Sequence, residues 1–519
     1  MPQRVTLDAM IPREDFAVTQ EEFELELFRD FPISNLAADS PILKLLRKPD
    51  FQRETNHWTP EQIATFIASF LDNEVIPSLI LWKSPTFIFV IDGGHRLSAL
   101  RSWVEDDYGD GALSLAFYKG EISDEQKKIA KRTRQLIEKR IGRYSALRSL
   151  LDTGVADDQI ALKRANRLFT RPLTLQWIQG NSDVAETSFF KINSQGTPLD
   201  DTEEMLIKNR RKPIAIAARA ILRSGTGHKY WSAFPVTQRE QIEKLAEQFY
   251  ELLFEPESTT PLKTLDVPFG GSVSPVDALS LLIDFLTIAG NRQPETPLID
   301  KYNNDETGDQ TILILKRSLE ILNRITGNSA GSLGLHPAVY FYSERGKYNR
   351  FLFLGVVAML TEKVRNNNDA FFKKFTLSRG PMEGFLAENK SVITLVLQNM
   401  SKNQRVPQMK ALFEHLVDTI SKEGKAPSLQ SAFEHMGLRG RILDLTEKRA
   451  STHFTDDAKS MLFVESALQT ALKCPICGGY LHPAKSVSYD HITRKRDGGT
   501  GDILNGQMVH PFCNTGMKS

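Results

Sequence analysis

Apolar residues recur at two different periods along this chain, and each period marks a different kind of element. Between Pro60 and Leu71 they return every three or four positions, with Ile63, Phe66, Ile67 and Phe70 in one stripe, as in a helix that buries one face. Thr59 supplies an N-cap there, and Pro60 sits at the first helical position, where a missing N–H costs nothing. Phe87 to Ile91 is instead an unbroken apolar run, the pattern of a buried strand. It leads into Asp92-Gly93-Gly94-His95-Arg96 and then a helix from Leu97 to Trp103.

Helical spacing dominates residues 216–455, in 242–254, 276–288, 311–325, 340–363 and 409–420. Polar breaks bearing glycine or proline fall near 255–275, 289–308, 326–337, 377–392 and 421–428. The stripe of Phe351, Phe353, Leu354, Val357 and Leu360 reads as core. Near the end of the chain, 456–472 reads as a helix and Val487 to Ile492 alternates like a strand. Arg494 to Gly501 is too polar and glycine-rich for a regular element, Ile503 to Val509 reads as a second strand, and a short helix starts near Pro511.

Length changes this picture only by implying about three domains at roughly 150 residues each. With 65 Lys+Arg against 64 Asp+Glu the net charge is +1, so a nucleic-acid surface has to be a local patch. Basic stretches run from Lys127 to Arg143 and from Lys208 to Lys212, although an exposed helix face is the commoner reason for such runs. No apolar run reaches membrane-spanning length and no signal pattern opens the chain, so a cytoplasmic protein without a membrane partner is expected.

The candidate chemistry is concentrated at the end of the chain. All three cysteines lie there, in Cys474-Pro-Ile-Cys477 and His510-Pro-Phe-Cys513. Two ligand pairs of this spacing offer zinc a closed Cys3His site, whose soft and borderline donors leave no position for water. Between them stand Asp490-His491 and Asn505, and Asn514 follows the second pair. A histidine can take a proton from water near neutral pH. Asp490 and Asn514 offer hard oxygen ligands suited to magnesium or manganese. Adjacent strand residues point to opposite faces, so Asp490 and His491 can serve one site only where the strand ends or twists.

This terminal segment resembles the zinc-stapled HNH endonucleases of the ββα-metal type, through Cys474 to Gly478, Asp490-His491, Asn505, Cys513-Asn514 and Lys518. The resemblance implies a structural zinc on Cys474, Cys477, His510 and Cys513. It also implies a catalytic ion on Asp490 and Asn514, His491 as the base, and Asn505 steadying the loop that carries it. His510 stands where the family usually has cysteine; zinc accepts the exchange, and the alternative is that His510 leans toward the catalytic ion. Lys518, Arg494, Lys495 and Arg496 are candidate phosphate contacts, with solvated surface as the plain alternative.

Residues 40–215 resemble the ParB-like DUF262 and DGQHR domains. The landmarks are Phe51-Gln52-Arg53 with Trp58, then Asp92-Gly93-Gly94-His95-Arg96, then Phe189 to Leu199 including Asn193. Gly94 replaces the usual glutamine. The resemblance implies nucleotide binding or hydrolysis: Asp92 on a divalent ion or water, His95 and Arg96 on phosphates, the Gly93-Gly94 turn seating them, and Arg53 and Asn193 as further pocket members.

The expected protein is a multidomain α+β chain. A ParB-like α/β domain covers 1–215, a mainly helical connector or DNA-binding domain 216–455, and a ββα-metal HNH module with structural zinc 456–519. Its expected activity is that of a metal-dependent DNA endonuclease or nickase of a bacterial antiphage or restriction system. The expected cofactors are Zn2+ and Mg2+ or Mn2+, with an NTP regulating it and phage or modified DNA as the target; homo-oligomerisation stays open. A non-cleaving DNA-binding protein with a zinc docking fold, or an enzyme that is mainly an NTPase, are the competing expectations.

Overall fold

The computed structural model describes residues 4–517 except 15–25, 50–54, 56, 57, 119, 121, 154–157, 182, 183, 186, 187, 190, 191, 193–200, 224–230, 232, 258, 272–274, 292–298 and 437–453. The chain is mixed α/β and mostly helical. It divides into two compact units, one of residues 1–210 with 226–230, the other of 211–225 with 231–519.

Among the described residues the first unit is built on a six-stranded mixed sheet: β1 (Arg13–Glu14), β2 (Asp30–Phe31), β3 (Leu46–Pro49), β4 (Leu79–Lys83), β5 (Ile88–Asp92) and β6 (Leu173–Ile178), in the order β1-β3-β5-β4-β6-β2. The central strands β4 and β5 are antiparallel and buried on both faces, so alternate residues serve two cores. Leu79, Leu81, Ile88 and Val90 join the larger core with Ile63, Ile67 and Phe70 of the helix Pro60–Leu71 and Leu97, Leu100 and Trp103 of the helix Gly94–Val104. Trp82, Phe89 and Ile91 pack with Ala185 and Phe189 on the other face. Thr59 caps Pro60–Leu71 reciprocally with Gln62, each side chain meeting the other's backbone N–H, so two orphan amides at the helix start are satisfied.

The second unit packs helices Val236–Phe254, Pro275–Ala289, Asp309–Ile325, Arg350–Arg365, Asp369–Glu388 and Lys402–Glu423 around one another and carries the cysteine-bearing end of the chain. Two expectations change. The helix read over 340–363 is interrupted, because Tyr342 bridges to Tyr348 across a turn at Gly346 (φ 67°) before the helix starts at Arg350. The break read at 377–392 shrinks to Asn389, since Asp369–Glu388 continues through Gly380-Pro381 and the helix Lys390–Gln398 follows. Pro381 has no N–H to give the ladder, and the neighbouring Gly380 N–H donates to the Cys477 carbonyl at 3.1 Å, so part of the lost helical bonding is replaced from outside.

That same contact begins the attachment of the terminal module. Arg379 and Glu383, both buried, form an ion pair. Burial opposes the charge of Arg379, but the Glu383 carboxylate outweighs it and holds the guanidinium above its ordinary value. Arg379 also donates to the Leu333 and Gly334 carbonyls, while Glu383 accepts from Tyr340 at 2.9 Å and from the Tyr480 backbone N–H. Gly479 is needed here: an added Cβ would lie 2.6 Å from Arg379 Nε. Farther along, Val487 N–H donates to Asn328 Oδ1 at 3.1 Å and Phe512 N–H to the Ser332 carbonyl at 2.9 Å. The module is bonded into the helical body on several sides.

Candidate active site

Cys474, Cys477, His510 and Cys513 are brought together from the first knuckle and from the start of the helix Pro511–Gly516. Their ligand atoms all lie within 4.8 Å of one another and all four residues are buried. A tetrahedral zinc with bonds of about 2.0–2.3 Å needs its ligand atoms roughly 3.3–3.8 Å apart. His510 Nδ1 is 3.3 Å from Cys477 Sγ and 3.8 Å from Cys513 Sγ. His510 Nε2 is 3.0 Å from the Tyr480 carbonyl, so the proton belongs on Nε2 and Nδ1 is left as a ligand. Burial holds the imidazole below its ordinary pKa, hence neutral. Hydrogen bonds from Cys477 and then Cys513 hold the Cys474 thiol low, which in turn pushes Cys477 up to about 12 and Cys513 up as well. Three sulfurs and one imidazole nitrogen gathered within this span are the soft and borderline donor set of a closed tetrahedral site, so the residues fit zinc.

Next to this centre, β7 (Ser488–His491) pairs antiparallel with β8 (Gly506–Val509), and Asp490 stands opposite Gln507. Gln507 Nε2 donates to Asp490 Oδ2 at 3.0 Å, and the His491 N–H to Asp490 Oδ1 at 2.8 Å. Ser488 and Asp490 share a strand face. Asn514, on the helix Pro511–Gly516, donates to Ser488 Oγ at 2.8 Å and therefore reaches that face. His491, half-buried, pairs with Gly506 as the last residue of the strand, so the strand ends directly after it.

Asn505 closes the loop beyond. Its Oδ1 accepts from the Thr493 N–H at 2.7 Å, and its Nδ2 donates to the Thr493 and Thr500 carbonyls at 3.1 and 2.8 Å. Gly499 makes this closure sterically possible, since a Cβ there would meet the Thr493 carbonyl at 1.8 Å. The second strand read from Ile503 starts only at Gly506. Residues Ile503–Asn505 form a 3₁₀ turn, because the Asn505 N–H bonds back to Asp502 and its carbonyl accepts from Ile492.

In the first unit, β5 ends at Asp92, Gly93 turns the chain at φ 97°, and a helix starts at Gly94. Only glycine fits at 93: besides its positive φ, a Cβ would lie 2.3 Å from Leu79. Arg96 pairs with Asp92 and donates to the Pro77 and Ser78 carbonyls. His95 faces Trp58, with ring centroids 5.8 Å apart, which joins the first landmark to the second. Phe189 of the third packs beneath Phe89 and Ile91. Arg53 and Asn193 lie outside the described residues.

Residues 33–211 match the family described as GmrSD restriction endonuclease, N-terminal domain, and residues 474–518 match HNH endonuclease. The chain joins a GmrSD-type N-terminal domain to an HNH endonuclease domain. No curated protein and no solved structure matches it. Both families are nucleases by description, and the fusion supports a nuclease of a restriction system. Within the HNH domain Lys495 and Arg496 are exposed and Arg494 half-buried on the loop that Asn505 closes; Lys518 lies outside the described residues. Among the described residues no helix is long and apolar enough to cross a membrane.

Several supporting residues escaped the sequence reading. Gln507 and Ser488 hold Asp490 and Asn514, yet nothing marks them until the register of β7 and β8 is known. Arg379 and Glu383, beneath the zinc knuckle, carried one visible signal, their i,i+4 spacing. The first unit has a buried charge cluster as well: Asp8 pairs with Arg13 and Lys48, and Lys48 Nζ reaches Thr55 Oγ1 at 2.9 Å.

Proposed function

We propose that the HNH domain is a metal-dependent DNA endonuclease or nickase, governed by nucleotide binding or hydrolysis, and by sensing of DNA modification, in the N-terminal domain. The carrying observation is the placement of three residues around one strand end: Asp490 held by Gln507 and the His491 N–H, Asn514 reaching the same face through Ser488, and His491 closing the strand. Asp490 and Asn514 supply oxygen donors that suit magnesium or manganese; when bound, the ion neutralises charge on the phosphate and the departing oxygen. His491 takes the proton of the attacking water. Asn505 holds the loop after the base in place. The zinc set keeps the helix Pro511–Gly516, and so Asn514, against β7.

A zinc fold that merely docks on DNA accounts for the cysteines but leaves this second grouping without a use. Magnesium- or manganese-dependent nicking of supercoiled plasmid by the wild type and not by His491→Ala tests the proposal; equal cutting by both removes it. The three parts, 1–215, 216–455 and 456–519, are then switch, helical connector or DNA-binding domain, and cutter. In the switch, Asp92, Gly93, Gly94, His95 and Arg96 with Arg53 and Asn193 take the nucleotide, and the Asp92–Arg96 pair exchanges partners when phosphate arrives. Running the plasmid assay with and without each NTP, on modified and unmodified DNA, tests that regulation.

A further inference from the structure

The HNH domain presents an apolar tip beside its candidate active site. Ile503 and Leu504 are 89% and 88% exposed, and Ile492, directly after His491, is 60% exposed. Tyr489, the β7 residue before Asp490, is 76% exposed. This tip is tied in place. The Asn505 N–H donates to the Asp502 carbonyl at 2.9 Å, the Ile492 N–H to the Asn505 carbonyl at 2.8 Å, and the Asn505 side chain clamps Thr493 and Thr500. A fixed 3₁₀ turn that holds two large aliphatic side chains in water gives up burial that an inward register would have secured.

We propose that Ile503 and Leu504 are a DNA wedge: they enter a groove next to the scissile phosphate and part a base step, which sets where the HNH domain cuts. The inference rests on the endonuclease reading above and adds how its substrate is held. Duplex DNA is the occupant because of what surrounds the tip. The Ile492 N–H meets the Asn505 carbonyl and the Asn505 side chain holds Thr493, so the tip adjoins the segment that carries His491. On the same loop Arg494, Lys495 and Arg496 outnumber Asp497 and Asp502, which suits a polyanion better than an apolar protein face. Aliphatic wedges between base steps are an established way for proteins to pry open DNA, and the cost is lowest at flexible pyrimidine–purine steps.

The test uses the full chain and the double variant Ile503→Ser, Leu504→Ser, whose side chains are not part of any core, with Val75→Ser as a control for loss of an exposed apolar residue elsewhere (99% exposed). Binding to a fluorescent duplex in calcium, which isolates binding from cutting, is expected to weaken about tenfold or more in the double variant and to stay unchanged in the control. Mapped plasmid ends from wild type are expected to favour pyrimidine–purine steps, and those from the double variant to lose that bias. Equal binding by wild type and double variant overturns the wedge, as does an unbiased wild-type cut map. Faster cutting by the double variant also overturns it, because the tip is then a seat for protein that restrains the enzyme. Failure of the endonuclease reading shows separately, as plasmid cutting that does not depend on His491.

Discussion

The two candidate sites of this chain handle charge in opposite ways. In the HNH domain the proposed structural and chemical duties fall on separate residues: the cysteines and His510 gather on one centre, while Gln507 holds Asp490 and Ser488 meets Asn514 on the neighbouring strand. In the GmrSD-type domain, Asp92 and Arg96, both cast as ligand contacts, are paired with each other, and Arg96 also spans to the Pro77 and Ser78 carbonyls. A site with its own scaffold is ready for a ligand; a site whose charges satisfy one another has to exchange partners to take one. That difference suits the proposed cutter and the proposed switch, since a population shift needs two arrangements of comparable free energy.

The largest expected effect tests whether zinc is the scaffold on the cutting side. Cys474→Ser, or stripping the metal with a chelator, is expected to melt the terminal module and abolish cutting, since structural zinc contributes on the order of 10 kcal/mol to such folds. Metal content and a thermal melt check this, and a zinc-free chain that still cuts breaks the comparison. His491→Ala is expected to slow nicking by about 10²–10⁴-fold with zinc content unchanged; a parallel loss of zinc would mean that scaffold and chemistry are not separate. Glu383→Ala strands the buried Arg379 and removes the acceptor for Tyr340 and the Tyr480 N–H, so a loss of about 3–5 kcal/mol in denaturant unfolding is expected. Asp92→Asn is expected to lower nucleotide hydrolysis at least tenfold, by about 1.4 kcal/mol or more in barrier, and phosphate release equal to wild type would dissolve the switch. Smallest, Thr59→Ala opens the capping box and is expected to cost about 1 kcal/mol, read as a shift in melting temperature, with plasmid cutting unaffected.

Much of the local geometry of both candidate sites was legible in residue order, because their signals are local. Cys474-Pro-Ile-Cys477 and His510-Pro-Phe-Cys513 each set two ligands one short turn apart, and Asp92-Gly93-Gly94 places a glycine where only positive φ fits. Periodicity likewise located the helix Pro60–Leu71 and its cap, since a stripe and an N-cap are properties of neighbouring residues. It failed where a distant partner intervened. The helix through Gly380-Pro381 survives beside the Cys477 carbonyl, and Ile503 and Leu504 leave the strand because hydrogen bonds around Asn505 turn the chain.

By itself the sequence determined the metal-ligand spacing, the strand and helix faces and the order of the chemical groups, all of which depend on a few consecutive residues. Only the tertiary structure decided that Gln507 holds Asp490, that Asn514 reaches β7, that Arg96 is spent on Asp92 and that an aliphatic pair stands in water at the tip of the hairpin. The reason is physical: strand register, the pairing of buried charges and the exposure of a turn are set by groups far apart in the chain, and their energies exist only once those groups meet.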